Sequence, residues 1–452
     1  MVVGAISSRT ELAIIGAGPG GYVAALRAAD AGIDVTLIDR AELGGTCLNV
    51  GCIPSKALIE LAQVRHGALS ASARGLTAQV SVDAETIAGH LQAVSRQLRR
   101  GVGSLLQDAG VTVIKGDANF ARYDRLSIAT DDSVQHLEFD NAIIATGSRP
   151  IGLPAFALDN RIVTSTGALS LTSVPQHMAV IGGGYIGVEL GTAWAKLGSQ
   201  VTIVEQGPHV LPNVAAELRQ PVERRLEQLG VTVLPHTTAE RPTEQGVQLA
   251  GGEHAMADII VIAVGRRPNS DQTSIDSLNL DLNEQRQIVV DAQMRAKPGI
   301  YAIGDLTPGP ALAHKASAEA EVAVHAITGR ADSFAPAAIP EVIFSDPEIM
   351  SVGAPIGSGA TYRFPHAASA RARTIGESSG ATYLVADEAG TVIGVHATGP
   401  HASELAGEAT LAIEMAATIE DLAGTIHAHP TMSESLAEAA WLAFGHPLHI
   451  RR

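Results

Sequence analysis

The chain carries the same pattern of apolar and glycine positions twice. In each copy a short apolar stretch enters the spacing Gly-x-Gly-x-x-Gly, and a second apolar stretch ends on an acidic residue. The glycines and the acid of the first copy are Gly16, Gly18, Gly21 and Asp39. Those of the second copy, at the same spacing, are Gly182, Gly184, Gly187 and Glu205. One such motif is weak evidence, but two with equal spacing predict two strand–turn–helix units.

A glycine turn of this kind lets backbone N–H groups and a helix N-terminus approach a pyrophosphate. The acid that closes the next strand accepts hydrogen bonds from a ribose. Two such units therefore predict two bound dinucleotides.

The pattern changes in the last quarter of the chain. Beyond about Pro336, apolar and polar residues alternate at 382–386 and 391–396, and an alanine-rich stretch typical of a helix follows at 402–418. This part predicts an α+β domain. With 452 residues, the whole chain is long enough for three or four domains.

Composition narrows the class of protein. A hydrophobic content of 46% with 17% charged residues is typical of a packed globular enzyme. The net charge of −16 argues against nucleic acid and anionic membranes as partners, and leaves room for a basic protein. The first residues enter the first strand without a long apolar leader, and no apolar run reaches membrane-spanning length. We expect a cytoplasmic protein, in which a disulfide is more often catalytic than structural.

The two cysteines of the chain, Cys47 and Cys52, lie five positions apart. They are too few for a structural zinc site, so no metal is expected and a redox disulfide is the simplest interpretation. An ideal helix would separate their Cα atoms by about 8.6 Å, beyond the roughly 4.4–6.8 Å of a disulfide. The segment must therefore leave the helical path when oxidised, and Asn49 and Gly51 give it that freedom. The alternative is that both cysteines are small buried hydrophobes.

The sequence around the cysteines carries a family resemblance. Residues 44–56, Gly-Gly-Thr-Cys-Leu-Asn-Val-Gly-Cys-Ile-Pro-Ser-Lys, resemble the redox-active signature of the flavoprotein pyridine nucleotide-disulfide oxidoreductase family. The likeness continues, in the family's order, through 145–147, 182–189, 263–269, 301–305, 312–315 and 427–434. It is strongest to the members that oxidise dihydrolipoamide.

The resemblance implies an α/β fold with two Rossmann-like dinucleotide-binding domains, for FAD and NAD, and a C-terminal α+β dimerisation domain. The FAD domain should comprise residues 1–148 and, after a return of the chain, 270–335. Residues 149–269 should form the NAD domain, and 336–452 the interface domain of a homodimer.

The resemblance also assigns catalytic roles. Cys47 should exchange with the substrate, and Cys52 should lie against the flavin. His429 resembles the family's general base, and Glu434 the carboxylate that orients it; histidine suits repeated proton transfer, and a carboxylate fixes its tautomer. We interpret His427 as a surface or core residue, and His401 likewise.

Lys56 and Glu189 form a second expected pair. In the family they make an ion pair near the reactive nitrogen of the flavin, where a cation stabilises the reduced ring. The alternative is a structural salt bridge between domains.

Cofactor contacts are expected at both glycine turns and at the segments that complete the FAD domain, where Asp305 should meet the ribityl chain. The residues implied are Gly16, Gly18, Gly21, Asp39, Gly45, Thr46, Lys56, Gly116, Ala118, Thr146, Gly147, Gly182, Gly184, Gly187, Glu189, Glu205, Gly265, Gly304, Asp305, Leu312, Ala313 and His314.

Residue content separates this chain from other members of the family. Members that use additional thiols are excluded, because there are only two cysteines. The segment 205–209 offers a carboxylate and no arginine for a 2′-phosphate, so NAD is preferred to NADP. Two alternatives stay open: a reductase of a low-molecular-weight disulfide, and a mainly structural flavin-binding subunit of a complex. The catalytic set argues against the second.

The expected partners are NAD, lipoamide, a second copy of the chain, and a lipoylated acyltransferase or glycine-cleavage carrier protein. The sequence does not say which complex is served. The match is loosest at 353–361, which is shorter than the corresponding family segment, and at 382–386, which lacks an expected lysine.

Overall fold

The computed structural model describes residues 7–450. The first unit is a sheet flanked by helices. Its strands are β1 (Ser7–Ile15), β2 (Val35–Asp39), β3 (Thr112–Lys115), β4 (Asp117–Arg122), β5 (Arg125–Ala129) and β6 (Val134–Ile144). Its helices are α1 (Pro19–Asp30), α2 (Gly45–Val50), α3 (Cys52–Ser70) and α4 (Ala84–Asp108). β1 lies between β2 and β6, parallel to both, and its centre is fully buried, as expected for a strand covered on both faces.

The second unit repeats this plan. Its strands are β7 (Ser148–Pro150), β8 (Ile162–Thr164), β9 (His177–Ile181), β10 (Gln200–Val204), β11 (Thr232–Leu234), β12 (Ala239–Thr243), β13 (Gly246–Leu249), β14 (His254–Met256), β15 (Ile259–Ile262) and β16 (Arg266–Pro268). Its helices are α5 (Ser165–Ala168), α6 (Tyr185–Leu197) and α7 (Ala216–Gln228). A parallel sheet has the order β11-β10-β9-β15-β8, and β12 to β14 form a small antiparallel sheet. The chain enters and leaves this unit through the antiparallel ribbon of β7 and β16.

The chain then returns to the first sheet. This segment contains β17 (Arg295–Lys297), β18 (Ile300–Ala302) and α8 (Ala313–Ile327). β18 pairs in parallel with β6, and α8 packs against α1. The first sheet therefore has eight strands drawn from two separate parts of the chain. The exact limits of the domains stay a prediction.

The C-terminal domain is an antiparallel sheet covered by helices. Its strands are β19 (Glu341–Ile343), β20 (Glu348–Gly353), β21 (Ala360–Pro365), β22 (Ala381–Ala386) and β23 (Val392–Gly399), in the order β19-β20-β23-β22-β21. Its helices are α9 (Ala370–Ile375), α10 (Ala406–Glu414), α11 (Ile419–Gly424) and α12 (Glu434–Ala443). The short segment between β20 and β21 is a tight connection with Gly353 and Gly357 at positive φ.

Buried apolar side chains from all three parts pack together. One cluster of buried apolar side chains contains Leu58 and Leu91 of the first unit, Trp194 of the second, and Ile349 of the C-terminal domain. This packing places α3 beside α6, and Lys56 of α3 lies against Phe344, directly after β19 in the C-terminal domain. Within residues 7–450, no helix combines the length and the apolar character needed to span a membrane.

Candidate active site

The first and third glycines of both motifs are required by the packing of the backbone. Gly16 has φ +105°, and a Cβ there would lie 2.3 Å from the carbonyl oxygen of Ala145. Gly182 has φ +107°, and a Cβ would lie 2.5 Å from the oxygen of Ala263. At the third glycines, Gly21 and Gly187, a Cβ would meet the oxygen of the first glycine at 1.8 and 2.0 Å. A side chain at Gly16 or Gly182 would therefore clash with the neighbouring segment of chain, and one at Gly21 or Gly187 would push the helix away from the turn.

The second glycine of each motif is not required by packing within the protein. A Cβ at Gly184 would meet no described atom within 4 Å, and one at Gly18 would meet only the Cα of Gly45, at 3.9 Å. Their lack of a side chain leaves space for a ligand to approach the backbone. Both are N-cap residues, of α6 and α1, and no side chain of the described residues caps either helix. The first-turn N–H groups are therefore available to an anion.

The acid of each motif ties its turn to the next strand. Asp39 accepts hydrogen bonds from the backbone N–H groups of Ala17, at 2.6 Å, and Ala41, at 2.8 Å. Glu205 accepts them from Gly183, at 2.7 Å, and Gly207, at 2.6 Å. Because a carboxylate oxygen has a second lone pair, each acid can also accept a hydrogen bond from a ribose.

A cavity of about 810 Å³ lies where the first and second units meet. The predicted cofactor residues that line it are Gly16, Gly18, Asp39, Gly45, Thr46, Lys56, Gly116, Ala118, Thr146, Gly147, Glu189, Gly304, Asp305 and Ala313. The remaining ones lie outside its lining: Gly21, Gly182, Gly184, Gly187, Glu205, Gly265, Leu312 and His314. The second-unit glycines and Glu205 belong to the other turn. His314 is exposed, with Nε2 2.8 Å from the carbonyl oxygen of Pro340.

Two hydroxyl groups at the cavity wall are able to pair with a polar ligand. The Thr146 and Ser95 hydroxyl groups line the cavity and are buried without a hydrogen-bond partner among residues 7–450. Buried hydroxyl groups are normally paired, so a ligand with hydrogen-bonding groups fits here. A flavin dinucleotide meets this requirement and that of the uncapped α1 N-terminus.

The two thiols face this cavity across a break in the helix. Cys47 lies in α2 and Cys52 begins α3, and the residue between the helices, Gly51, has φ −135° and ψ −115°. A Cβ at Gly51 would lie 2.9 Å from the oxygen of Thr46, which explains the glycine. The structure therefore shows the departure from a regular helix that the spacing predicts, with both thiols free.

The two thiols have different pKa values. Cys47 donates a hydrogen bond to Cys52, and this lowers the pKa of the Cys52 thiol to about 7, with Lys56 acting in the same direction against the effect of burial. The same hydrogen bond, together with burial, raises the pKa of Cys47. Near neutral pH Cys47 thus stays a thiol, while a substantial fraction of Cys52 is a thiolate.

Lys56 and Glu189 are brought together by α3 and α6. Lys56 Nζ lies 2.8 Å from Glu189 Oε2, and the carboxylate is almost completely buried. The other oxygen of Glu189 accepts a hydrogen bond from the backbone N–H of Phe344, at 2.8 Å. The Phe344 ring also lies against the lysine, with Nζ 4.7 Å from the ring centroid.

His429 and Glu434 form a pair at the start of α12. His429 Nδ1 lies 2.8 Å from Glu434 Oε1, and Glu434 Oε2 accepts a hydrogen bond from the backbone N–H of Thr431 at 2.8 Å. The His429 side chain is 65% exposed. Neither residue of the pair lines the cavity that contains the thiols. The His427 side chain is buried, and its Nε2 lies 2.8 Å from Glu408 Oε1.

Comparisons with known proteins agree with this arrangement. Residues 10–320 match the pyridine nucleotide-disulphide oxidoreductase family, and residues 339–440 match its dimerisation domain. The chain belongs to the pyridine nucleotide-disulphide oxidoreductase family. It is 44% identical to a dihydrolipoyl dehydrogenase of Geobacillus stearothermophilus, over 100% of this chain and 99% of the relative. It is 43% identical to one of Bacillus subtilis (strain 168), over all of both chains.

Solved structures of this family have the same fold. LpdA from Mycobacterium tuberculosis has a TM-score of 0.90 at 29% identity, over 96% of this chain and 99% of that protein. The HOCl-induced flavoprotein disulfide reductase RclA from Escherichia coli has a TM-score of 0.85 at 27% identity, over 96% and 99%.

Ser148, Arg266 and Phe344 contact predicted site residues but are not among the residues predicted from the sequence. Asp305 Oδ2 accepts a hydrogen bond from Ser148 Oγ at 2.5 Å, and Arg266 Nε donates to the same hydroxyl at 2.8 Å. This chain of contacts connects Asp305 to both strands of the ribbon between the units. Arg266 lies within a segment that carries the resemblance, which was a usable signal. Phe344 carries no comparable sequence signal, because a single phenylalanine before a turn is common.

Proposed function

We propose that this chain is a dihydrolipoyl dehydrogenase, which oxidises protein-bound dihydrolipoamide to lipoamide and reduces NAD⁺. The observation that carries the proposal is the pair of thiols at the cavity, split by Gly51 and placed beside the Lys56–Glu189 ion pair. The full-length likeness to two dihydrolipoyl dehydrogenases supports the choice of substrate.

FAD is the cofactor that the large cavity accommodates. The α1 N-terminus at Gly18 would bind its pyrophosphate, Asp39 its adenosine ribose, and Thr146 and Asp305 its polar groups. When bound, FAD supplies a two-electron acceptor for the thiols and a hydride donor for NAD⁺. NAD belongs to the second glycine turn, where Glu205 closes the strand.

The thiols perform the exchange with the substrate. In the oxidised protein, a thiolate of dihydrolipoamide attacks Cys47, the Cys47–Cys52 bond breaks, and Cys52 leaves as a thiolate. A leaving thiol with a lowered pKa departs faster, and Lys56 lowers the pKa of Cys52. The second substrate thiol then attacks the mixed disulfide, Cys47 leaves and is protonated, and lipoamide is released. The substrate loses two electrons and two protons, and the cysteine pair gains the two electrons.

His429 would accept a proton from the substrate thiol, with Glu434 orienting the imidazole through its 2.8 Å contact. Because neither residue lines the thiol cavity of its own chain, His429 of a second copy would complete the site. The dimerisation-domain match, which contains both residues, supports this arrangement. An isologous interface supplies two such sites per dimer.

The protein partner would be a lipoylated acyltransferase or glycine-cleavage carrier protein. The net charge of −16 favours docking to a basic binding domain. The cytoplasmic location stays a prediction. A low-molecular-weight disulfide substrate with NADPH is less favoured, because Glu205 offers a carboxylate where a 2′-phosphate would need a cation.

The test compares two reactions of the FAD-loaded protein. We expect NAD⁺ reduction by dihydrolipoamide to be much faster than NADPH oxidation by glutathione disulfide. Cys47→Ser should abolish the first reaction and keep flavin bound. Faster turnover of glutathione disulfide, or an active Cys47→Ser variant, would contradict the proposal.

A further inference from the structure

An ion pair on α8 lies buried behind the cavity. Lys315 Nζ is 2.7 Å from Glu319 Oε1, one helical turn further on, and each side chain is only 1% exposed. Neither residue lines the cavity, although their neighbours Ala313 and Ala316 on the same helix do. The roles proposed above for thiols, acids and histidine make no use of this pair.

The ion pair contacts the backbone of one turn, Gly304–Leu306. It hydrogen-bonds to both the N–H and the C=O group of the first residue, Gly304. Glu319 Oε2 accepts a hydrogen bond from the backbone N–H of Gly304 at 2.6 Å. Lys315 Nζ donates to the carbonyl oxygen of Gly304 at 3.3 Å and to the Thr307 hydroxyl at 3.0 Å. That hydroxyl also lies 3.0 and 3.1 Å from the two oxygens of Glu319. Glu319 therefore holds the N–H group of Gly304, and Lys315 contributes to holding its C=O group, which also accepts from the hydroxyl and the backbone N–H of Thr307 at 2.8 and 3.1 Å.

The bound turn is part of the cavity wall. Gly304 has φ +79°, a conformation that glycine adopts readily and that a neighbouring contact must select. Gly304 and the next residue, Asp305, both line the cavity. Asp305 is held from the opposite side by Ser148. The orientation of its carboxylate thus depends on the ion pair at one end and on the ribbon between the units at the other.

Stability alone does not explain a pair in this position. Removing two charges from water is costly, and hydrophobic replacements of buried pairs are often neutral or stabilising. Burial raises the pKa of Glu319, as expected when a charged carboxylate is removed from water. What such a pair can provide, and apolar side chains cannot, is directional hydrogen bonding that selects one backbone conformation.

We propose that Lys315 and Glu319 are positioning residues that hold the Gly304–Asp305 turn in the conformation that receives the flavin dinucleotide. Removing the ion pair should then weaken FAD binding without lowering the stability of the apoprotein. This inference rests on the proposed function only in taking FAD as the ligand of the cavity.

The test is the double variant Lys315→Met/Glu319→Leu, which removes both charges together. We expect the apoprotein to unfold at the parental temperature or higher, and FAD, measured by flavin fluorescence, to bind at least about tenfold more weakly. The matched control is Arg219→Met/Glu223→Leu, another pair at the same spacing on α7, outside the cavity lining. It should bind FAD as tightly as the parent.

FAD affinity within about twofold of the parent in the double variant would overturn the proposal, as would a weakened affinity matched by lower apoprotein stability. If the double variant does not fold, Glu319→Gln decides, because the amide oxygen can still accept from Gly304 but cannot pair with Lys315. A folded Glu319→Gln protein with parental FAD affinity overturns the proposal, and one with weaker affinity supports it. A parent that binds FAD but does not oxidise dihydrolipoamide would contradict the proposed function and leave this inference standing.

Discussion

Replacing His366 by glutamine should make the free energy of unfolding less sensitive to acid. The His366 side chain is fully buried, and its Nε2 lies 2.9 Å from the Thr382 hydroxyl, which lies 2.8 Å from the Ser435 hydroxyl. Ser435 follows Glu434 in the first turn of α12, so this contact supports the helix that carries the partner of His429. A charge on His366 would be unsolvated there.

The size of the effect follows from the pKa of His366, which burial lowers from 6.5 to about 4, with Arg363 acting in the same direction. The unfolded chain takes up this proton at higher pH than the folded chain does. Stabilisation is therefore complete above about pH 6.5 and is lost as the pH falls through 6.5 toward 4. Linkage gives a loss of about 2 kcal/mol per chain between pH 7 and pH 5, and about 3 kcal/mol below pH 4.

The assay is urea unfolding of parent and His366→Gln at pH 7 and pH 5, followed by tryptophan fluorescence. One protein concentration must be used throughout, because dissociation of a dimer contributes to apparent stability. The parent should lose about 2 kcal/mol more of its free energy of unfolding than the variant over this interval. Exposed His90→Gln should behave as the parent does. An equal pH dependence of parent and His366→Gln would refute the reasoning.

Three further predictions concern the active site and its partner. Lys56→Met should raise the pKa of Cys52, and slower iodoacetamide alkylation at pH 7 in a Cys47→Ser background would show it; an unchanged rate would exclude an effect of Lys56. Glu205→Ala should reduce the preference for NAD over NADP in kcat/KM by about ten- to a hundredfold, and equal use of the two by the parent would contradict the role of Glu205. Binding to a basic domain of a lipoylated enzyme should weaken steeply with added salt, whereas an affinity indifferent to ionic strength would count against acidic docking.

The parts of the fold that the sequence predicts are those with strong local constraints. Gly16 and Gly182 need positive φ and lie against a neighbouring strand, so their spacing alone indicates the turn and the helix. The break at Gly51 follows from the distance that a disulfide tolerates. The family resemblance adds the return of the chain to the first sheet, which no local pattern reveals.

Other parts of the site depend on contacts between distant positions. Ser148 and Asp305 are 157 residues apart, and Phe344 reaches Glu189 from another domain. Serine and phenylalanine at such positions are common, so their types carry no signal. The burial of His366 likewise depends on how β21 and β22 pack under α12. The loosely matched segment at 353–361 is a short connection that leaves the five-stranded sheet complete.

The most direct test of a thiol site completed by a second copy mixes two inactive variants, Cys47→Ser and His429→Gln, under conditions that exchange subunits. Random mixing makes about half of the dimers mixed, and each mixed dimer has one site with both intact thiols and an intact base. If the site is shared, the mixture should recover about a quarter of the parental dihydrolipoamide oxidation. No recovery, with mixed dimers demonstrated, would contradict it and place thiols and base in the same chain.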